Sequence, residues 1–197
     1  MKNGSARDLR RAASHFLGPP HLPRLWFFTD PLRTPEPWEI ADALPAGAAV
    51  VFRHFGLVNR DAVSRRLLRT CRRRSARLLI GADWMLAERI GADGVHLPER
   101  MAAKAGDLKR RRPDWVVSVA AHSEHAVRTP ADAAILSPIY RSRSASAGRP
   151  LGLQRATRIL QASASPVIAL GGIHLERVPE LARAGFAGAA GIDLFLE

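Results

Sequence analysis

The 197-residue sequence has a single cysteine, Cys71, and no apolar run that approaches the roughly 20 residues needed to cross a bilayer. One cysteine excludes an internal disulfide, so nothing in the sequence points to the oxidising compartments in which disulfides persist. Residues 1–11 are polar and basic, and no apolar core of a secretory signal follows them. We therefore expect a cytoplasmic protein that contacts no membrane.

Acidic residues are also scarce, since 18 Asp and Glu stand against 30 Lys and Arg and give a formal net charge of +12. Much of the excess is arginine in two clusters, at positions 65–74 and 109–112. Such clusters can bind phosphate backbones, but no aromatic stacking platform is interleaved with these arginines. The sequence also lacks a zinc-site or helix-turn-helix signature. We interpret both clusters as solvated helix faces and do not expect a nucleic-acid partner.

Apolar residues are plentiful, at 47% of the chain, which is enough to build the core of one globular domain. Short runs of β-branched and apolar residues alternate with helical segments, a pattern typical of βα units around a parallel sheet. Continuous apolar character is typical of strands that are buried on both faces. Eight strands are predicted, at Leu25–Thr29, Ala49–Arg53, Arg77–Ile80, Gly94–Leu97, Val116–Ala120, Ala133–Leu136, Val167–Leu170 and Ala187–Ile192.

Helical segments separate most of these strands. They are predicted at Ala6–Leu17, Asn59–Arg74, Trp84–Ile90, Met101–Arg112, Gly152–Ser163 and Leu175–Ala184. Eight strands with intervening helices favour a (β/α)8 TIM barrel, of the α/β class, over an open sheet. We predict one barrel domain over residues 1–197, in which residues 1–22 form an extra N-terminal helix and its connection and 23–197 form the barrel. The last helix is expected to be truncated.

A set of motifs in a fixed order resembles the thiamine phosphate synthase/TenI family. A late GGI occurs in many phosphate-binding barrels, so the ordered set is more specific than any one motif. The resemblance extends from Leu25 to the C-terminus and implies a barrel that binds its ligand at the C-terminal ends of the strands. The motifs are GADGVHLPE at Gly91–Glu99, AAHS at Ala120–Ser123, AILSPIYRSRS at Ala134–Ser144, PLG at Pro150–Gly152, PVIALGGI at Pro166–Ile173 and AGFAGAAGID at Ala184–Asp193.

Glycines and serines near the seventh and sixth predicted strands indicate a phosphate site. Gly171 and Gly172 end a strand and precede a helix, so their backbone N–H groups can face an anion. Barrels frequently bind phosphate at the loops after strands seven and eight. Ser142 and Ser144 match two threonines of the family and supply hydroxyl donors. The alternative is a plain glycine turn beside a flexible serine-rich loop, 142–148.

The end of the last predicted strand places a carboxylate next to the expected phosphate site. Ile192 and Asp193 match a pair of backbone donors that usually ends in Ser in the family. A carboxylate next to a phosphate weakens binding unless a cation compensates. Arg143 or Arg141 could provide that cation, and otherwise both arginines belong to a solvated loop.

The metal and diphosphate residues that the resemblance implies are mostly missing. The family motif at the second strand is Gln-x-Arg-Glu-Lys, and Val51–Phe55 keeps only Arg53, a candidate for binding diphosphate. The synthase uses Mg²⁺ to neutralise the departing diphosphate and therefore needs carboxylates. An Asn-Asp pair of the family is replaced by Gly81-Ala82, and a second metal carboxylate is replaced by Met101.

Asp83 and Glu99 are the nearest acids that could hold Mg²⁺ in place of the missing carboxylates. We assign no metal ligand with these two as the only candidates. No cofactor is expected, and Mg²⁺ enters only if the chain is a synthase.

His122 is the residue best suited to proton transfer. It follows the fifth predicted strand, at the functional end of the barrel, and TenI-like proteins use a His here to tautomerise a thiazole phosphate to its aromatic form. An imidazole titrates near neutral pH and suits general acid–base chemistry. The TenI partner acid is replaced by His54, so a His54/His122 pair is the predicted catalytic pair. Alternatively, His122 caps a following helix; His96 could face the same pocket or be structural.

Three functions remain open at this point. The first is a TenI-like protein that binds a phosphorylated thiazole and tautomerises it through His122. The second is a divergent Mg²⁺-dependent synthase that joins thiazole phosphate to a pyrimidine diphosphate. The third is an inactive binding or regulatory barrel that uses its basic surface. Dimerisation is typical of TenI-like proteins, so a homodimer is the expected assembly.

Overall fold

The computed structural model describes residues 6–144 and 148–196. Its eight strands are β1 (Leu25–Phe28), β2 (Ala49–Phe52), β3 (Arg77–Gly81), β4 (Gly94–Leu97), β5 (Val116–Ala121), β6 (Ala133–Leu136), β7 (Val167–Leu170) and β8 (Gly188–Gly191). Each strand pairs in parallel with the next, and β8 pairs with β1 to close the barrel. The predicted barrel is therefore confirmed, and each predicted strand end lies within one residue of the observed end.

The strands are apolar throughout because both of their faces are buried. Alternate residues of a strand point to opposite sides of the sheet. In β1, Leu25 and Phe27 belong to the large core that also contains the helices, whereas Trp26 and Phe28 belong to a second core built almost entirely from strand residues. This second core fills the interior of the barrel.

The described part of the chain contains seven α-helices: α1 (Ala6–Ser14), α2 (Pro37–Ala43), α3 (Arg60–Arg73), α4 (Trp84–Ile90), α5 (Ala105–Arg111), α6 (Leu153–Gln161) and α7 (Val178–Arg183). The predicted extra N-terminal helix is α1. Helix α2 was not among the predicted helices, and three prolines lie in residues 31–37. Pro37 occupies the first turn of α2, where its missing N–H breaks no helical hydrogen bond.

Several connections are shorter than a full helix. The predicted helix Met101–Arg112 begins as a 3-10 helix at Glu99–Lys104, and only α5 is α-helical. A single 3-10 turn, Ala126–Arg128, follows β5, and another, Asp193–Phe195, follows β8. No helix among the described residues combines the length and apolar character that a membrane crossing requires.

Candidate functional site

A cavity of about 510 Å³ opens at the C-terminal end of the barrel. This volume is within the range of small-molecule sites. Strand ends and the loops that follow them form its wall. Most of the predicted site residues line it: Arg53, His122, Ser142, Ser144, Gly171, Gly172, Ile192 and Asp193.

The two glycines after β7 are required by the close approach of the loop after β6. Gly171 and Gly172 have left-handed φ values of +100° and +65°. A Cβ on Gly172 would lie closer to the carbonyl oxygen of Arg141 than van der Waals contact allows. Within the described residues, the N–H of Gly172 donates to no backbone carbonyl. It can therefore donate to an anion in the cavity.

The loop after β6 is fastened to β7 and α7 beside these glycines. The backbone N–H of Tyr140 donates to the carbonyl of Gly171 at 2.9 Å, and the Tyr140 hydroxyl donates to Glu180 Oε1 at 2.5 Å. Farther along, the N–H of Ser144 donates to the hydroxyl of Ser142 at 3.2 Å. Residues 145–147 of the predicted serine-rich loop lie outside the described residues.

Two arginines balance the charge of Asp193. Arg33 Nη2 donates to Asp193 Oδ1 at 2.5 Å, and Arg143 Nη2 donates to the same oxygen. Burial by itself raises the pKa of Asp193, but the hydrogen bonds from Arg143 and Arg33 outweigh burial and leave the pKa below its ordinary value. The carboxylate is therefore ionised. Arg143, one of the two arginines expected to compensate its negative charge, is in contact with it. Arg33 was not identified from the sequence.

One ring nitrogen of His122 is hydrogen-bonded to the neighbouring backbone. Its Nδ1 lies 2.9 Å from the carbonyl oxygen of Ser137 and 3.3 Å from the Ser137 hydroxyl; because the nearer carbonyl only accepts, we assign the proton to Nδ1. In a neutral imidazole, Nε2 is then the nitrogen with a lone pair. The backbone N–H of His122 donates to Glu99 Oε2 at 3.0 Å. Because only a 3-10 turn follows, at Ala126–Arg128, His122 caps no α-helix.

His96 also lines the cavity but is a neutral, buried group. Its Nδ1 lies 3.0 Å from the Ser118 hydroxyl, and its ring meets the Phe28 ring edge-on at a centroid distance of 5.1 Å. Burial, with smaller contributions from Arg53 and His122, lowers the pKa of His96 to about 3. The histidine is therefore uncharged at neutral pH.

Arg53 supplies a cation deep in the cavity. Its guanidinium lies over the Phe28 ring, 5.3 Å from the centroid, and its Nε donates to the carbonyl of Thr29 at 3.1 Å. Burial lowers the pKa of Arg53, yet an arginine keeps its charge in proteins. Arg53 can therefore pair with an anionic group of a ligand.

The structure does not bring His54 to the cavity. The His54 residue is only 2% exposed, its ring packs on Phe52 at a centroid distance of 4.9 Å, and it is absent from the cavity wall. Its Nε2 is buried and finds no partner among the described residues. Burial lowers the pKa of His54, which favours the neutral ring. No His54/His122 pair is formed at this site.

The residues that would have to hold Mg²⁺ do not fit that role. Asp83 Oδ1 caps α4 by accepting from the N–H of Leu86 at 2.9 Å, and its Oδ2 pairs with Arg60 Nη1 at 2.7 Å. Glu99 accepts from the backbone of His122. Over residues 6–144 and 148–196, no group of three or more His, Cys, Asp or Glu side chains could hold a metal ion.

Three further residues of the cavity wall were missed in the sequence. Arg33 lies outside the quoted motifs, Arg149 directly precedes the PLG motif, and Ser137 lies within AILSPIYRSRS but contributes through its backbone carbonyl, which any residue provides. Only the position directly after a strand could have pointed to Ser137.

Comparison with known proteins identifies the family to which this chain is similar. The profile of the family described as "Thiamine monophosphate synthase" matches residues 35–195. The Aquifex aeolicus protein named "Putative thiamine-phosphate synthase 2" is 32% identical over 185 residues, which span 89% of this chain and 99% of that protein. The thiamine-phosphate synthase of Lactococcus lactis is 29% identical over 141 residues, 68% of this chain and 65% of that protein.

A solved structure supports the fold. Thiamine phosphate pyrophosphorylase from Pyrococcus furiosus superposes with a TM-score of 0.70 and covers 85% of this chain and 84% of its own. The two sequences are 22% identical, so this likeness speaks for the barrel alone.

Proposed function

This chain belongs to the thiamine phosphate synthase/TenI family, and on that premise we propose that it binds a thiazole phosphate and tautomerises it to the aromatic form. The observation that carries the proposal is the state of His122. Its Nδ1 is committed to the Ser137 carbonyl, so Nε2 is the nitrogen that can exchange a proton with a ligand. A metal-free proton shift needs one such group rather than a set of carboxylates.

The phosphate of the ligand is assigned to the wall formed by Gly172, Ser142 and Ser144. A backbone N–H without a carbonyl partner and serine hydroxyls provide neutral donors for its oxygens. Arg33 adds a cation on the same cavity wall. The thiazole ring then lies toward His122, and Arg53 is the cation available to an acidic substituent of the ring.

His122 has the role of a proton carrier in this proposal. Nε2 removes a proton from the saturated ring carbon of the non-aromatic tautomer, the exocyclic double bond shifts into the ring, and the proton is returned to the exocyclic carbon, so the enzyme is unchanged at the end of the cycle. The hydrogen bond from Nδ1 to Ser137 stabilises the imidazolium that forms in between. His54 takes no part, because it lies outside the cavity wall.

Calorimetric titration with thiazole phosphate carboxylate tests the binding half of the proposal. We expect binding with the same dissociation constant in excess Mg²⁺ and in EDTA, because the described residues contain no group of three or more His, Cys, Asp or Glu side chains that could hold a metal ion. Absence of binding in both buffers would contradict the proposal. Binding only with Mg²⁺ would favour the synthase instead.

A further inference from the structure

Three loops of the barrel meet on one carboxylate oxygen at the edge of the cavity. Asp193, in the turn after β8, accepts on Oδ1 from Arg33 of the loop after β1 and from Arg143 of the loop after β6. We call Arg33, Asp193 and Arg143 the rim clamp. Asp193 is central to it, since its side chain is only 9% exposed while that of Arg143 is 75% exposed.

The charges of the rim clamp sum to one positive charge, because two guanidiniums share one carboxylate. A guanidinium has five N–H donors, and Asp193 engages one nitrogen of each arginine. Donors therefore remain on Arg33, which lines the cavity next to the serines and glycines assigned to phosphate.

We propose that Asp193 is a positioning residue, which holds Arg33 on the cavity wall and Arg143 beside that wall so that their remaining donors bind the phosphate of the ligand. This inference rests on the proposed function. The physical reason is preorganisation: an arginine side chain that is ordered before binding loses less conformational entropy when the ligand arrives. A short acid on a buried turn is suited to fixing two long, mobile side chains.

Direct repulsion between the Asp193 carboxylate and the ligand phosphate predicts the opposite change in affinity. If the carboxylate acted on the ligand directly, its negative charge would weaken phosphate binding, and its removal would tighten binding. Asp193→Asn distinguishes positioning of the arginines from direct repulsion of the ligand, because the amide keeps the size of the side chain and removes the charge. The rim clamp predicts weaker binding from a substitution that makes the cavity more positive.

The test is calorimetric titration of wild type and Asp193→Asn with thiazole phosphate carboxylate and, separately, with inorganic phosphate. Asp61→Asn is the matched control, because Asp61 also pairs with two arginines, Arg65 and Arg89, but on the exposed face of α3. It changes the net charge equally. We expect Asp193→Asn to weaken the binding of both ligands about tenfold, and Asp61→Asn to leave both unchanged.

Kinetics distinguish positioning from a general structural role. We expect Asp193→Asn to raise KM and leave kcat unchanged, since His122 and its Ser137 contact are intact. Arg143→Met should cost much less affinity in the Asp193→Asn background than in wild type, because the arginine is no longer held. Asp193→Glu should restore part of the affinity.

The outcomes separate this inference from the proposed function. If wild type binds and Asp193→Asn binds equally or more tightly, the rim clamp is wrong and the proposed function stands. If thiazole phosphate carboxylate does not bind while inorganic phosphate binds and depends on Asp193, the proposed function is wrong and the clamp stands. If neither ligand binds wild type, both are wrong.

Discussion

The imidazole of His122 and the backbone carbonyl of Ser137 are joined by a hydrogen bond of 2.9 Å across two neighbouring strands. The sheet register pairs Ala121 of β5 with Leu136 of β6, so the residues that follow them lie side by side. The hydrogen bonds between β5 and β6 continue one residue beyond β6, since the N–H of Ser137 donates to the carbonyl of Ala121 at 3.0 Å. The orientation of the imidazole is thus set by the backbone of the barrel.

The first prediction compares the effects of replacing His122 and His54 on turnover. His122→Ala should lower kcat for thiazole tautomerisation by about a hundredfold or more, the usual contribution of a general acid–base group, with little change in ligand affinity. His54→Leu should leave kcat unchanged, because His54 packs on Phe52 outside the cavity wall. Steady-state kinetics and calorimetry check both variants. A loss of turnover in His54→Leu with normal folding would restore the predicted histidine pair.

The second prediction concerns the glycine after β7. Gly172→Ala should destabilise the protein by about 3 kcal/mol, because a left-handed residue gains a Cβ that collides with the Arg141 carbonyl. Gly47→Ala is the control, since Gly47 is also left-handed at φ +79° but has nothing near its Cβ position. It should cost only about 1 kcal/mol. Urea denaturation measures both, and equal losses would argue against close packing of the two loops.

The third prediction concerns pH and the buried His96. Burial lowers the pKa of His96 to about 3 in the folded chain, so the unfolded chain binds a proton at a higher pH. The stability contributed by the neutral ring is present above the unfolded pKa and is lost as the pH falls toward the folded one. Between pH 7 and pH 5 this amounts to about 2 kcal/mol.

Urea denaturation at pH 7 and pH 5 checks this third prediction. The drop in unfolding free energy should be smaller in His96→Gln than in wild type by about 2 kcal/mol. His15→Gln is a suitable control for a histidine in an exposed position. The same pH dependence in wild type and His96→Gln would contradict the buried neutral state of His96.

The fourth prediction concerns Asp83, the acid nearest to a lost metal ligand. Asp83→Ala should lower stability by about 1 kcal/mol, since it removes the cap of α4 and the partner of Arg60. Asp83→Asn should retain most of the capping, because Asn is an equally good N-cap. Neither change should affect turnover in EDTA. A loss of turnover in both variants in EDTA would indicate that Asp83 serves the reaction directly, without a metal.

The fold was predictable from the sequence because the barrel repeats one signal. Each strand is buried on both faces and is therefore a short apolar run, and helix stops such as Gly91 divide the chain between runs. The signal failed where two rules conflict. No helix was predicted at α2, which begins at Pro37, and the predicted helix at Met101 starts as a 3-10 turn.

The candidate site was predictable where a residue lies at a strand end or in a quoted motif. His122 and Gly172 lie just after strand ends, Ser142 and Ser144 lie in a motif, and all four line the cavity. Arg33 was not predictable, because its contact with Asp193 joins residues 160 positions apart through a loop without a motif. His54 does not line the cavity, because its side chain is buried and packs on Phe52.

Turnover of the thiazole phosphate tautomer in EDTA, followed by NMR for wild type and His122→Ala, decides whether His122 carries the proton without a metal. We predict conversion to the aromatic form by wild type without Mg²⁺ and its loss in His122→Ala, although that variant still binds the ligand. Conversion at the wild-type rate in His122→Ala, or a strict requirement for Mg²⁺ in wild type, would contradict a metal-free proton shift carried by His122.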